Sequence, residues 1–189
     1  MRLKTILNYG LKFKCFCIGK SEFNEKKDSI IVEIKARTNS KPVCSICGTA
    51  SPGYDTLPER LFEFVPMWGL RVFFRYAMRR VSCPQCKRVV VEAVPWCDGK
   101  NHFTNHYAAF LASWAKELSW KSVAAHFHTS WQTVCSAVES VVNYGLTHRN
   151  LDSVTALGVD EIAWHKGHNY LTLVYQICLL YTSPSPRDY

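Results

Sequence analysis

Four cysteines stand as two pairs, Cys44-x2-Cys47 in KPVCSICGTASPG and Cys83-x2-Cys86 in RVSCPQCKRVVV. Each pair can place two thiolates on one tetrahedral metal ion, and a set of four thiolates suits zinc. Gly48 follows the first pair and Pro84 lies inside the second, which suits the tight turns of metal-binding knuckles. The 35 residues between Cys47 and Cys83 are long for the shortest finger spacings. They suit a zinc ribbon, in which strands run between the two knuckles. Four thiolates leave no position for water, so such a zinc is structural rather than catalytic. Unligated buried thiols and redox pairs are the competing readings. A redox CxxC opens a helix in a βαβ setting, and neither pair does. Cys15 and Cys17 read as packing or exposed thiols, Cys97 as a neighbour of the ribbon not needed as a ligand, and Cys135 as a core residue of a helix.

The second group able to do chemistry is Asp160. It lies in LGVDEIAWHKGHNYLTLVY, which reads as two apolar strands joined by the polar turn HKGHN. A carboxylate in a buried strand is costly unless it is paired or binds a metal ion. Glu161, next along the strand, points to the opposite face and takes no part in the same site. His165, Lys166 and His168 in the turn read as solvated, with an approach to DNA as the alternative.

These groups need elements to hold them. The chain has 189 residues, 48% hydrophobic and 20% charged, enough for one domain or two small ones. An amphipathic, Lys-rich N-terminal stretch leads through a polar turn, SEFNEKKD, to a strand, SIIVEIKAR. LRVFFRYAMRRVSCPQCKRVVVEAV reads as a strand, a turn holding the second cysteine pair, and another strand. From residue 101 the apolar spacing changes to three and four, which predicts helices over NHYAAFLASWAKEL, WKSVAAHF and WQTVCSAVESVVNYG. Ser or Thr in SWKS and TSWQ can cap the second and third of these. The expected divisions are a basic region over 1–40, the ribbon over 41–98, a helical region over 101–149 and the two strands over 154–177.

Net charge is +8, and its distribution is uneven. Residues 1–100 hold 18 Lys and Arg against 9 Asp and Glu, a net +9, and the remainder is close to neutral. A basic module suits a polyanion such as nucleic acid, although a basic protein without such a partner has the same balance. No run of eighteen apolar residues exists, which excludes a spanning helix, and the N-terminus lacks a signal-peptide pattern. Nine cysteines, an odd count, argue for metal ligation in a reducing compartment over a disulfide framework.

In RVFFRYAMRR, Arg71, Arg75 and Arg79 share one strand face and Val72, Phe74, Tyr76 and Met78 the other. With Arg80, Lys87 and Arg88 they are candidates to reach phosphates; a solvated face is the alternative. KELSWKSVAAHFHTSWQTVCSAVESVV has the cadence of a helix-turn-helix, whose second helix enters the major groove by its N-terminal residues. Ser130, Gln132 and Thr133 lie there, Gln132 able to read adenine and Thr133 a phosphate or methyl group, with Lys121 as a further contact. Small helical hairpins of other function look alike. His126 and His128, two residues apart, do not share a helix face and read as ordinary histidines.

Taken together, FVPMWGLRVFFRYAMRRVSCPQC, VPWCDGKNHFT, FLASWAKELSWKSVAAHFHTSWQTV and above all LGVDEIAWHKGHNYLTLVYQI resemble bacterial insertion-sequence transposases of the ISL-three group, over roughly residues 1–177. The resemblance implies an α+β, multi-domain protein: a four-cysteine zinc ribbon, a helix-turn-helix, and the first strands of an RNase H-like catalytic domain of the DDE type. It implies that ribbon and helix-turn-helix bind double-stranded DNA at the element's terminal repeats. Three carboxylates then hold Mg2+ or Mn2+ for DNA cleavage and strand transfer, Asp160 matching the first. Work as a homo-oligomer in the bacterial cytoplasm, associated with the nucleoid and not with membrane, is implied likewise. A non-catalytic zinc-dependent DNA-binding protein or repressor is the alternative.

The end of the chain departs from that pattern. Residues 178–188, CLLYTSPSPRD, can be written codon by codon as the transposon-end adapter of tagmentation sequencing libraries. The expectation is that 178–189 is adapter translated in frame and that the natural product continues past Ile177. The chain as written then lacks two of the three carboxylates and is inactive in catalysis.

Overall fold

The computed structural model describes residues 3–25, 28–98, 101–152, 154–165, 167 and 169–176. The expected adapter-derived tail, Lys166 and His168 lie outside the described residues. Among the described residues the architecture is α+β, with four helices and a mixed sheet. The chain divides into two compact units, residues 1–143 and 144–189.

In the first unit, helix α1 (Leu3–Leu11) precedes strands β1 (Phe16–Asn24) and β2 (Ser29–Ala36). Strands β3 (Gly53–Met67), β4 (Leu70–Cys83) and β5 (Arg88–Val91) follow. The five strands form one sheet in the order β1-β2-β4-β3, with β5 also on β4. β2 and β4 run parallel, and the other pairs are antiparallel. Within this unit β2 lies beside β4, pairing Ser29–Glu33 with Arg71–Arg75, so residues 29–36 share a sheet with the strands that flank the second cysteine pair. The expected turn SEFNEKKD is shorter than its polarity suggests, because Ser21 to Asn24 pair with β2.

β4 is the central strand, and its alternation is the reason. Val72, Phe74, Tyr76 and Met78 are buried on one face, while Phe73, Arg75, Ala77 and Arg79 are half-buried on the other. The inner face meets Trp96, which is fully buried. The Trp96 ring lies 4.9 Å from Phe16, 5.2 Å from Tyr76, 5.4 Å from Phe13 and 6.1 Å from Phe62, mostly edge to face. Such aromatic pairs contribute beyond the area they bury. Leu7 of α1 closes the same core.

Helices α2 (Asn105–Trp114), α3 (Trp120–His126) and α4 (Trp131–His148) follow, with α4 crossing the division between the units. Each begins where a hydroxyl accepts an otherwise orphaned amide. Thr104 accepts from Tyr107 N, Ser119 from Ser122 N and Ser130 from Thr133 N. Their apolar stripes meet in a second core of Phe103, Tyr107, Ala108, Leu111, Val123, Ala124, Val134 and Ala137. Cys135, expected in a core, is half-buried, and its thiol bonds Glu139 one turn on. The helical core is tied to the sheet through residues 101–104. Glu63 N donates to His102 O and Thr104 N donates to Glu63 O, both at 2.8 Å.

In the second unit, β6 (Leu157–His165) and β7 (Asn169–Gln176) form an antiparallel hairpin around Gly167, which sits at φ 106. The strands expected to be buried are exposed on both faces. Val159 and Ile162 are 65% and 44% exposed, and Leu173 and Val174 are 43% and 63% exposed. Two strands present two faces and have nothing of their own to cover either.

Candidate metal centre and nucleic-acid interface

The two knuckles come together at one end of the sheet. The second closes the turn between β4 and β5, so its position follows from their pairing, Cys83 opposite Arg88. The first lies in the loop before β3 and is drawn in by backbone pairing, Val43 with Ala50 and Cys44 with Glu92. The knuckles share a local geometry. The residue after the second cysteine is left-handed in both, Gly48 at φ 71 and Lys87 at φ 53. Glycine adopts that region freely, whereas lysine needs the surrounding structure to hold it there. Gly48 N donates to Cys44 O, and Cys86 N points at Cys83 Sγ, 3.5 Å away.

All four sulfurs lie within 4.8 Å of one another. Cys44 and Cys86 Sγ are 3.9 Å apart and Cys47 and Cys83 Sγ 3.5 Å. A tetrahedral ion with metal–sulfur bonds of about 2.3 Å spaces its sulfurs by about 3.8 Å, so this set can hold one metal ion with little rearrangement. The clustered thiols also perturb one another. The Cys86 amide, with help from Ser51, draws the Cys83 thiol down to about 6, and Thr49 lowers Cys47. Contact with Cys47 pushes Cys86 up to about 12. Thiolates this close repel one another unless a cation lies between them. Among the described residues no other group of His, Cys, Asp or Glu has this spacing. Cys97 is buried elsewhere, its thiol on Asn101 O at 3.2 Å, and burial pushes it up to about 11. Cys15 and Cys17 are half-buried and outside the cluster.

A support the cysteine spacing does not reveal is Thr49, whose hydroxyl donates to Gln85 Oε1 at 2.7 Å and so joins the knuckles. Gln85 lies inside CPQC and Thr49 two residues after Cys47, so proximity to the motifs was the only signal in the sequence.

The expected phosphate contacts divide into two groups. Arg71 Nε is 2.9 Å from Glu63, Arg75 sits 3.6 and 3.8 Å from Glu22 and Glu59, Arg79 bonds buried Glu92, and Arg80 pairs with Asp55. Asp55 lies below the usual carboxylate range because Arg80 bonds it. The sequence showed three arginines on one face but not the acids opposite them. Those acids come from β1, β3 and the segment after β5, which only strand pairing brings near. Lys87, Arg88 and Lys121 are exposed, with no ion pair among the described residues.

Between α3 and α4 the chain turns at His128, left-handed at φ 53. Ser130 and Thr133 are engaged with each other there, their hydroxyls 2.9 Å apart. Gln132 is exposed. It lines a cleft of about 300 Å³ with Thr133, Ser136, Glu63 and residues 101–103. His126 is exposed and lies edge-on to Phe127.

Asp160 is exposed, paired in register with Leu173, and its Oδ1 accepts from Glu161 N at 2.8 Å. Among the described residues Asp160 belongs to no group of three or more His, Cys, Asp or Glu side chains spaced to hold a metal ion. One carboxylate does not make a site for two divalent ions, so these residues by themselves do not fit that group.

The chain is 25% identical over 132 residues to the transposase of insertion sequence element IS1001 from Bordetella parapertussis, covering 70% of this chain and 32% of that protein. It is 29% identical over 152 residues to the transposase of insertion sequence element IS1557 from Mycobacterium tuberculosis, covering 77% of this chain and 33% of that protein. No family model and no solved structure matches it. The chain spans about a third of the length of these curated relatives. Across that third, this chain is a relative of insertion-sequence transposases.

Proposed function

We propose that this chain is the DNA-recognition portion of a transposase of the ISL-three group. The zinc ribbon spans 41–98, the helix-turn-helix lies within 101–149, and 154–177 opens an RNase H-like catalytic domain. The double-stranded terminal repeats of the element are the ligand. Zinc on Cys44, Cys47, Cys83 and Cys86 holds the ribbon's end together. Lys87, Arg88 and Lys121 contact phosphates, Gln132 reads a base edge, and Arg71, Arg75, Arg79 and Arg80 add positive potential while paired within the sheet. Ser130 and Thr133 position the start of α4 and approach the backbone of the DNA.

The observation that carries this reading is the capped α3–α4 pair, with Gln132 exposed at the start of the second helix and exposed Lys121 on the first. It belongs to a chain whose relatives are named transposases. The test is binding of the zinc-loaded chain to a duplex pool with a randomised core, at salt from 50 to 200 mM. Phosphate contacts make the logarithm of affinity fall linearly with the logarithm of salt. Absent or salt-independent binding overturns the reading.

Catalysis belongs to the whole protein in this proposal. Asp160 supplies the first metal-binding carboxylate and two further carboxylates come from outside the described residues, with Mg2+ or Mn2+ as the metal. A bacterial cytoplasmic, nucleoid-associated location and assembly as a homo-oligomer go with it. No helix among the described residues is long and apolar enough to cross a membrane. A second reading, a non-catalytic zinc-dependent DNA-binding protein or repressor, rests on the same cysteine cluster and capped helix pair and needs no carboxylate. Metal-dependent nicking of end-bearing DNA by a product carrying all three carboxylates, and its loss in Asp160→Asn, separates the two.

A further inference from the structure

The turn between β3 and β4 has two residues, Trp68 and Gly69, flanked by the pair Met67 and Leu70. Both are left-handed, at φ 53 and φ 79. That is the pattern of a type I′ turn, in which the first position prefers Asn, Asp or Gly. A bulky residue with positive φ is an outlier, and such strain persists where it serves a function. Packing does not explain Trp68, because it is 76% exposed while Trp96 is fully buried. Its neighbours Met67 and Leu70 pack against the main core, so the turn is anchored and the indole is held outward.

Its position follows from β3. Glu63 lies on this strand and lines the cleft that Gln132 and Thr133 of α4 share. Trp68 is five residues further along, roughly 16 Å at strand rise. A half turn of B-DNA is about 17 Å. A duplex that takes the start of α4 in its major groove and runs along β3 would bring its adjacent minor groove to the level of the β3–β4 tip. The half of the chain that carries the tip has a net +9, which suits DNA over an acidic or neutral partner.

We propose that Trp68 is a wedge that enters the minor groove half a turn from the α4 contact and unstacks a base step. Apolar side chains inserted in this way bend DNA toward the major groove and widen the surface it shares with protein. The inference rests on the DNA-binding reading above.

The test uses the full zinc-loaded chain and a duplex selected from the randomised pool, with 2-aminopurine placed step by step across it. Wild-type protein is expected to raise 2-aminopurine fluorescence at one step about half a turn from the positions protected by α4. Trp68→Asn, which restores the preferred Asn-Gly turn, is expected to raise Tm by about 3 °C. The same variant is expected to abolish the fluorescence rise and weaken binding about tenfold. Trp68→Phe keeps most of both signals. Duplex binding with unchanged affinity and fluorescence in Trp68→Asn overturns the wedge and leaves the DNA-binding reading standing. A loss confined to self-association, with DNA binding intact, also overturns it and assigns the tip to a protein partner. Failure of wild-type protein to bind any duplex overturns both readings together.

Discussion

Arg79 of β4 and Glu92, just after β5, form an ion pair, Nη2 to Oε2 at 2.7 Å, with the carboxylate wholly buried. The same carboxylate accepts from Arg79 Nε at 2.9 Å, from Arg79 N at 2.8 Å and from the Tyr76 hydroxyl at 2.6 Å. Glu92 is also the residue bridged to Cys44. The pair thus joins the central strand to the backbone of the first knuckle.

A buried charge left without its partner is far more costly than an exposed one. Glu92→Gln is expected to destabilise the protein by about 3 kcal/mol, and Arg79→Met by a comparable amount. Because each single variant strands the other group, the double variant should lose less than their sum. Urea unfolding of the three variants measures this. Additive losses would show that the two side chains act separately.

Removal of the metal should unfold the knuckle end of the sheet, because a site assembled from distant segments makes metal binding part of folding. Chelation is expected to lower Tm and erase protection of the Cys44 and Cys86 amides in hydrogen exchange, with one equivalent of zinc released. Cys83→Ser should do the same without chelator. Unchanged Tm after complete loss of zinc would refute a structural role.

Alkaline stability should be governed by Tyr76 and Tyr107. Burial raises both phenols above their ordinary value, first by desolvation, then by contact with Glu92 for Tyr76 and by the charge of Glu63 for Tyr107. A raised folded value means stability fully present below the unfolded value near pH 10 and lost as pH climbs above it. Each phenol is expected to contribute a slope of about 1.4 kcal/mol per pH unit there. Unfolding at pH 9 to 11 should show this slope fall stepwise in Tyr107→Phe and the Tyr76→Phe, Tyr107→Phe double variant. Tyr107→Phe should cost little at neutral pH, since the buried Tyr107 hydroxyl has no hydrogen-bond partner of normal geometry among the described residues.

Exposed and paired cations should behave differently in DNA binding. Lys87→Ala and Arg88→Ala are each expected to reduce the salt slope of binding by about one, with Tm unchanged. Arg79→Ala should lower Tm first. Equal salt slopes for wild type and both exposed variants would remove Lys87 and Arg88 from the interface.

Much of this protein is legible in its sequence because the signals are local. The cysteine pairs, the period-two alternation of Leu70 to Cys83 and the caps Ser119 and Ser130 each depend on residues a few positions apart. The three helices and the hairpin 157–176 follow from the same short-range periodicity. The kinship with insertion-sequence transposases was legible too, and the alignments carry it.

Tertiary structure decided what depends on distant partners. Strand β3 carries Pro, Glu and Arg in a mixed order and shows little alternation, so only pairing with β4 makes it a strand. The parallel contact of β2 with β4 joins segments some forty residues apart. The acids that neutralise Arg71, Arg75, Arg79 and Arg80 come from other strands, so a row of free cations in the sequence becomes a row of ion pairs in the fold. The left-handed Trp68 was hidden for the same reason. A backbone angle that its own side chain disfavours is imposed by the register of the two strands it connects.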